Sequence, residues 1–329
     1  MMGIHMIDVT NKEAMYREAT ASGFLELRGG LARDASSGFT GLGNVISTIE
    51  FASVMATKKA WQFVGLLHPI ELTYIRPIVT LSNSGINVRV TARTLGRTGV
   101  EMDALFGSFI GLLAAWNVVK AKYCLCSGGK CEPVLESPGS STVFIGANPD
   151  IVGIRDIRVE SKVKSINPIE GEESATQLLA PPIVFMFDAT DEPLYRGEAL
   201  SRGKIMLGKK SIDLIRSNKV EKGDVRTTAQ LAGMMAAKKA WDLLPLVHNN
   251  DITDVRVGID LEEDGVSVAV LTKNISRTGS AMESLLAAGV SLLTVWDMVK
   301  KYEKDENGQY PYTRISSITL EKSEKHPLT

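Results

Sequence analysis

Apolar residues along the chain recur with two periods. Between Val225 and Leu244 they fall at Ala229, Ala232, Met235, Ala236, Ala240 and Leu243, the spacing of one helix face, and Asp224 stands where a capping residue would begin that helix. Val255–Leu261 and Val266–Leu271 alternate and are rich in β-branched residues, and Glu262-Glu263-Asp264-Gly265 separates them, predicting a hairpin. A second helix is predicted from about Ser280 to Tyr302, with Met282, Leu285, Leu286, Leu293 and Trp296 on its apolar side. The order helix, hairpin, helix, with further strands at the edges, predicts an α+β fold in which helices cover one face of an antiparallel sheet.

The same order appears earlier in the chain, with its hairpin around Asn83-Ser84-Gly85. Lys58-Lys59-Ala60-Trp61 recurs as Lys238-Lys239-Ala240-Trp241, and Arg97-Thr98-Gly99 recurs as Arg277-Thr278-Gly279. Trp116 with Val119-Lys120 recurs as Trp296 with Val299-Lys300, at the same offset of about 180 residues. The leading edge repeats too, Ile7-Asp8-Val9 with Tyr16-Arg17 answering Phe187-Asp188-Ala189 with Tyr195-Arg196. Two copies at so long a period mean duplicated domains and not a solenoid. The expected division is copy one at 1–163, a polar, acidic linker at 164–182 that ends in a Pro pair, and copy two at 183–329. Fused copies are expected to pack as a pseudo-twofold dimer.

Composition narrows the function. The chain has 329 residues, 44% hydrophobic and 23% charged, which suits a protein with real buried cores. A net charge of −1 and an aromatic fraction of 6% argue against a nucleic-acid partner. The N-terminus has no signal-peptide pattern, and the longest apolar run, Phe106–Val119, is interrupted by Gly and Asn and reads as a buried helix, so a cytoplasmic protein with no membrane contact is expected. Cys124, Cys126 and Cys131 crowd one stretch between Lys122 and Val152 that is about twenty residues longer than its counterpart. With no His nearby to complete a metal site, they read as surface thiols in an insertion.

Three features carry candidate chemistry. Each Arg-Thr-Gly turn precedes a helix, where free backbone N–H groups and an Arg suit a phosphate, although an ordinary strand-to-helix turn has the same residues. Asp297 and Lys300 share a helix face, either as a surface ion pair or as a carboxylate and an ammonium poised for proton transfer. His68 and His248 occupy matching positions, where a lone His is more often structural than catalytic.

In order, these motifs resemble the molybdenum-cofactor biosynthesis protein C family, the cyclic pyranopterin monophosphate synthases. Copy one carries Ile7-Asp8-Val9, Arg17-Glu18-Ala19, Lys58, Leu67-His68-Pro69 and Gly96-Arg97-Thr98-Gly99-Val100-Glu101-Met102-Asp103. Copy two carries Lys222-Gly223-Asp224, Lys238, Val247-His248-Asn249, Arg277-Thr278-Gly279, Met282-Glu283 and Trp296-Asp297-Met298-Val299-Lys300. The resemblance implies a ferredoxin-like domain, no redox cofactor, and a small-molecule purine nucleotide-derived substrate. That substrate, 3′,8-cyclo-7,8-dihydroguanosine triphosphate, is rearranged to cyclic pyranopterin monophosphate with release of pyrophosphate. It also implies a site at the subunit interface and a trimer of dimers, hence a homotrimer of this fused chain.

Neither copy has the full motif set. Copy one has Leu42 and Asn117 where the family's Lys and helix Asp would be, and copy two has Asn249 and Ala281 where Pro and Glu would be. The family's Cys before His is Leu67 in one copy and Val247 in the other. Because the losses are complementary, one composite site is expected to join Leu67, His68, Glu101, Met102 and Asp103 with Lys222, Asp297 and Lys300. The resemblance makes Lys222 and Lys300 proton donors or phosphate ligands and Asp297 a base or the orienter of Lys300. Arg17, Lys58, Arg196 and Lys238 become candidate substrate contacts. The competing readings are a non-catalytic relative that binds a nucleotide or pterin, a scaffold partner, or a catalyst with an altered substrate.

Overall fold

A computed structural model describes residues 3–36, 39–40, 43–125, 150–166, 189 and 192–328 of the chain. Copy one runs β1 (Met15–Leu27), α1 (Gly29–Ser36), the short pair β2 (Phe39–Thr40) and β3 (Gly43–Asn44), then α2 (Val45–Phe63). The hairpin β4 (Tyr74–Ser82) and β5 (Gly85–Gly96), the long α3 (Glu101–Leu125) and β6 (Ile151–Ser165) complete it. Copy two repeats the plan as β7 (Tyr195–Met206), α4 (Lys209–Arg216), α5 (Val225–Ala237) with the single turn α6 (Ala240–Leu243), β8 (Ile252–Leu261), β9 (Gly265–Ser276), α7 (Ala281–Val299) and β10 (Arg314–Pro327). Leu42, Cys126, Cys131 and most of the expected linker lie outside the described residues, and Cys124 falls on the last turn of α3.

All the long strands form one eight-stranded antiparallel sheet in the order β4-β5-β1-β6-β10-β7-β9-β8. Read with copy-two strands as equivalents of copy-one strands, that order is a palindrome about the β6–β10 seam. An isologous pair fused into one chain gives this arrangement. The seam is short and antiparallel, pairing Ile315 with Ile157, Ser317 with Arg155 and Ile318 with Ile154. The extra strands expected at the sheet edges therefore lie in its middle. Of these four strands, β6 and β10 join the halves and β1 and β7 flank them, while the hairpin strands β4 and β8 form the sheet edges.

The predicted helices appear with adjusted ends. Asp224 caps α5, its Oδ1 accepting from the backbone N–H groups of Arg226 and Thr227 at 3.0 and 3.2 Å. The single helix expected to reach Leu244 is broken near Lys239, whose φ of −122° is not helical, and α6 stops before Pro245, which disfavours helical geometry at Leu244. The last helix ends at Val299, with Lys300–Tyr302 turning away from it.

Over Glu101–Lys120 and Ala281–Val299, α3 and α7 are apolar and long enough to span a membrane by composition, with mean hydropathy 1.5 and 1.4. Yet 94% and 100% of those stretches are buried inside the protein, so they are the two core helices. Against one side of each lies the sheet, and against the other lies α2 or α5. They meet across the pseudo-twofold. There the Phe109 ring covers Gly289, its own counterpart in the repeat, so closely that a Cβ on Gly289 would lie 2.0 Å from Cζ. A true homodimer would place identical residues on both sides of this contact. Gene fusion lets one side be large and the other absent.

Phe109→Ala should therefore cost about 3–5 kcal/mol through the cavity it leaves, and Gly289→Leu about 1–3 kcal/mol through overpacking. The swap Phe109→Gly with Gly289→Phe should recover much of the loss, measured by denaturant unfolding. Simple additivity of the two single changes would contradict this picture of the seam.

Candidate active site

The residues that matter lie at element ends. In copy one, β5 stops at Gly96, and the turn Arg97-Thr98-Gly99-Val100 delivers Glu101 to the first position of α3. Glu101 is 1% exposed. Its Oε1 accepts from Lys162 Nζ at 2.8 Å and from the Tyr310 hydroxyl at 3.0 Å, with Lys304 Nζ at 3.5 Å. Lys162 comes from β6 of copy one, while Lys304 and Tyr310 come from the segment joining α7 to β10 of copy two. The other carboxylate oxygen lies against the turn, where a Cβ on Gly99 would sit 2.1 Å from it. A side chain there would have to displace the carboxylate.

Copy two supplies the second carboxylate. Asp297, on the last full turn of α7, is completely buried. Lys222, just before α5, donates to its Oδ2 at 2.7 Å and to its backbone carbonyl at 3.0 Å, and Lys300 lies 3.0 Å from Oδ1. Two ammonium groups thus clamp one carboxylate, which removes the penalty of burying it bare.

The extended N-terminal segment walls the site. His68 Nε2 donates to the Ile7 carbonyl at 2.9 Å, which fixes the proton on that nitrogen. Arg97 donates to the Thr10 carbonyl at 2.7 Å, and the His5 amide reaches the Lys222 carbonyl at 3.4 Å. The segment therefore bridges the two copies.

Between these groups opens a cleft of about 460 Å³, within the usual range for a small-molecule site. Arg17, Leu67, His68 and Glu101 from copy one and Lys222, Asp297 and Lys300 from copy two all line it. Nine Lys or Arg side chains face it against three carboxylates, so a chain of near-neutral charge holds a strongly cationic pocket suited to a polyanion. Burial opposes the charge of Glu101, but Lys300, Lys162 and Lys304 overcome it and hold the carboxyl well below its ordinary range. Asp297 is lowered in the same way, burial being outweighed by Lys300 and Lys222. Burial resists the Lys300 ammonium, yet Asp297 and Glu101 raise it above its usual value. Lys162 goes the other way, brought down to about 8 by burial, with Glu101 resisting and Lys304 assisting. The cleft thus combines fixed cations with an amine able to exchange protons near neutral pH.

The MoaC family model matches residues 6–125 and matches again at 186–325. This chain belongs to the MoaC family. A probable cyclic pyranopterin monophosphate synthase of Sulfurisphaera tokodaii is 50% identical to it over 133 residues, covering 40% of this chain and 88% of the relative. One from Sulfolobus acidocaldarius is 47% identical over 135 residues, 41% of this chain and 94% of the relative. A probable cyclic pyranopterin monophosphate synthase accessory protein of Methanothermobacter thermautotrophicus is 44% identical over 142 residues, 43% of this chain and 89% of the relative. Each relative is about as long as one copy of this MoaC chain.

Not every residue expected in the MoaC site reaches the cleft. Met102, one position into α3, points into the hydrophobic core. Asp103 is buried behind Glu101, where burial raises its carboxyl to about 7 against the pull of Lys300. Lys58 and Lys238 are exposed on the outer side of α2 and at the end of α5, away from the buried faces of those helices. Arg196 is exposed on β7 and pairs with Ile275 as Tyr16 pairs with Leu95. The strand register makes it the counterpart of Tyr16 and not, as the sequence repeat suggested, of Arg17, so it lies on the other face of the sheet. Sequence reading missed Lys162, Lys304 and Tyr310. Lys304 follows Lys300 by four residues, but the helix ends at Val299, so helical spacing does not bring the two together. Nothing local marked Lys162 or Tyr310.

Asp103, and Glu283 in the other copy, which burial also raises to about 7, yield a pH prediction. Unfolded, these groups ionise near 3.8 and 4.5. The native state therefore holds protons that the unfolded chain has already lost. Stability from this source is full below about pH 4 and is lost as pH rises towards 7. Asp103→Asn with Glu283→Gln should flatten that decline in urea unfolding and leave the variant more stable than the parent at pH 8. An unchanged slope between pH 4 and 7 would contradict the raised values.

Proposed function

We propose that this chain is a cyclic pyranopterin monophosphate synthase of molybdenum cofactor biosynthesis, working in the cytoplasm through one composite site per chain. The reading is carried by one observation: Glu101 of copy one and Asp297 of copy two, each clamped by lysines, face a single cationic cleft. Names of relatives that match along most of their length support the activity. The substrate is 3′,8-cyclo-7,8-dihydroguanosine triphosphate. Arg17, Arg97 and the surrounding lysines take its triphosphate. Lys300, kept charged by Asp297, stabilises the pyrophosphate leaving as the cyclic phosphodiester forms. Lys222 and Lys162, both brought below the ordinary lysine value by burial, move protons on and off the rearranging ring system. His68 and Leu67 bound the ring end of the pocket.

Incubation with the cyclised triphosphate should yield cyclic pyranopterin monophosphate and pyrophosphate in equal amounts. Lys300→Ala and Asp297→Asn should each lower turnover by roughly 10³-fold or more, the scale expected for losing a transition-state charge, with circular dichroism unchanged. Full activity in both variants would overturn these roles. The accessory-protein name of one relative favours a second reading, a non-catalytic partner of a true synthase. A folded chain that binds the triphosphate and forms no product would establish that reading instead.

For assembly we propose a homotrimer. Phe51 and Trp61 on the α2 side and Leu231, Met235 and Trp241 on the α5–α6 side are exposed on one outward helical face, an apolar surface of the kind that subunit contacts cover. Light scattering should give the mass of three chains. A monomer at micromolar concentration would exclude it.

A further inference from the structure

The palindromic sheet creates a second interface, related to the first by the pseudo-twofold. Most of its cations persist. Arg277 stands for Arg97, Lys325 on β10 for Lys164 on β6, and Lys120 for Lys300, while Gly197 stands for Arg17. Its acids are gone, since Ala281 stands for Glu101 and Asn117 for Asp297.

The geometry has changed accordingly. At Gly99 the Glu101 carboxylate fills the space beside the turn, but at Gly279 the nearest atom to an added Cβ is Lys325 Cε, at 3.3 Å. The Lys325 stem reaches the Gly279 turn as the Lys162 stem reaches Gly99, at 3.3 Å in both, but no carboxylate from the turn itself meets it. The one described contact of the Lys325 amine is with the face of the Tyr195 ring, 5.1 Å from the centroid. Among the described residues, Lys120 Nζ has no hydrogen bond, and the acid that supports its charge is Glu283. Two acidic groups face the pair. Glu283 accepts from Asn250 at 2.7 Å and is close to half protonated at neutral pH, and Glu192 lies near Lys325 at the N-terminal side of β7. Burial and the charge of Lys120 together press Lys325 down to about 8. Two partly buried amines in each other's field, beside Arg277, have Glu283 and Glu192 as counter-charges but no carboxylate clamped between lysines as Glu101 and Asp297 are in the first cleft.

We propose that the second interface is a non-catalytic polyanion site, in which Lys120 and Lys325, with the Arg277-Thr278-Gly279 turn, bind a phosphoanhydride group. Without the equivalents of Glu101 and Asp297 the site holds its ligand and does no proton transfer. The same chemistry describes the tail of an intact nucleoside triphosphate and free pyrophosphate. The proposal does not depend on turnover at the first cleft.

Titration calorimetry of the full chain with inorganic pyrophosphate should find two sites per chain, and Lys120→Ala with Lys325→Met should leave one. Lys300→Ala should keep a site that depends on Lys120. A parallel titration with guanosine triphosphate separates the two sources, since uptake of either ligand at the Lys120-dependent site upholds the proposal. One site per chain in the parent protein for both ligands, or two that survive the Lys120 and Lys325 changes, would overturn it. The parent stoichiometry decides this without any variant. Melting curves add a control, because removing two mutually repelling charges should leave the ligand-free midpoint unchanged or higher while shrinking the rise that pyrophosphate produces.

Discussion

A carboxylate buried without a counter-charge is among the costliest features a protein can hold, and this molecule is arranged around two of them. Asp297 is tolerable because Lys222 and Lys300 hold it, and Glu101 because Lys162, Lys304 and Tyr310 hold it. Glu101 cannot be satisfied within its own copy, since two of its three partners come from the other. Whatever sets the relative position of the copies therefore sets the chemistry. The β6–β10 seam does this from the sheet side, and the Phe109–Gly289 contact does it from the helix side.

Fusion frees the two halves from symmetry. In a homodimer every change appears twice, so losing the acid at one interface loses it at both. Here Glu101 faces Ala281 across the pseudo-twofold, Asp297 faces Asn117, and Phe109 faces Gly289. The first two pairs concentrate the buried carboxylates in one cleft, and the third changes the packing at the axis. All three kinds of asymmetry need one chain to encode both partners.

Much of the fold could be read from the pattern of residues because the relevant signals are local. Helical spacing marked α5 and α7, alternation marked β8 and β9, and Asp224 marked a helix start. The seam could not be read, because β6 and β10 meet through three residue pairs that carry no distinctive pattern. Site residues divide in the same way. Lys222, Asp297 and Lys300 belong to one ordered motif set, and the structure brings them together. Lys58 and Lys238 belong to it as well, but a helix presents each position to a fixed side, and theirs faces outward. Lys162 and Tyr310 reach Glu101 only through folding, over sequence separations of 61 and 209 residues.

The central claim is that Glu101 and Asp297, from different copies, serve one site. A double-mutant cycle on single-turnover rates tests it most directly, with Glu101→Gln, Asp297→Asn and the double variant compared against the parent. If one site uses both groups, each single change should abolish nearly as much turnover as the pair together. If each single variant keeps about half of the parent's product burst and only the double variant loses it all, the copies work as separate sites and the composite account is wrong.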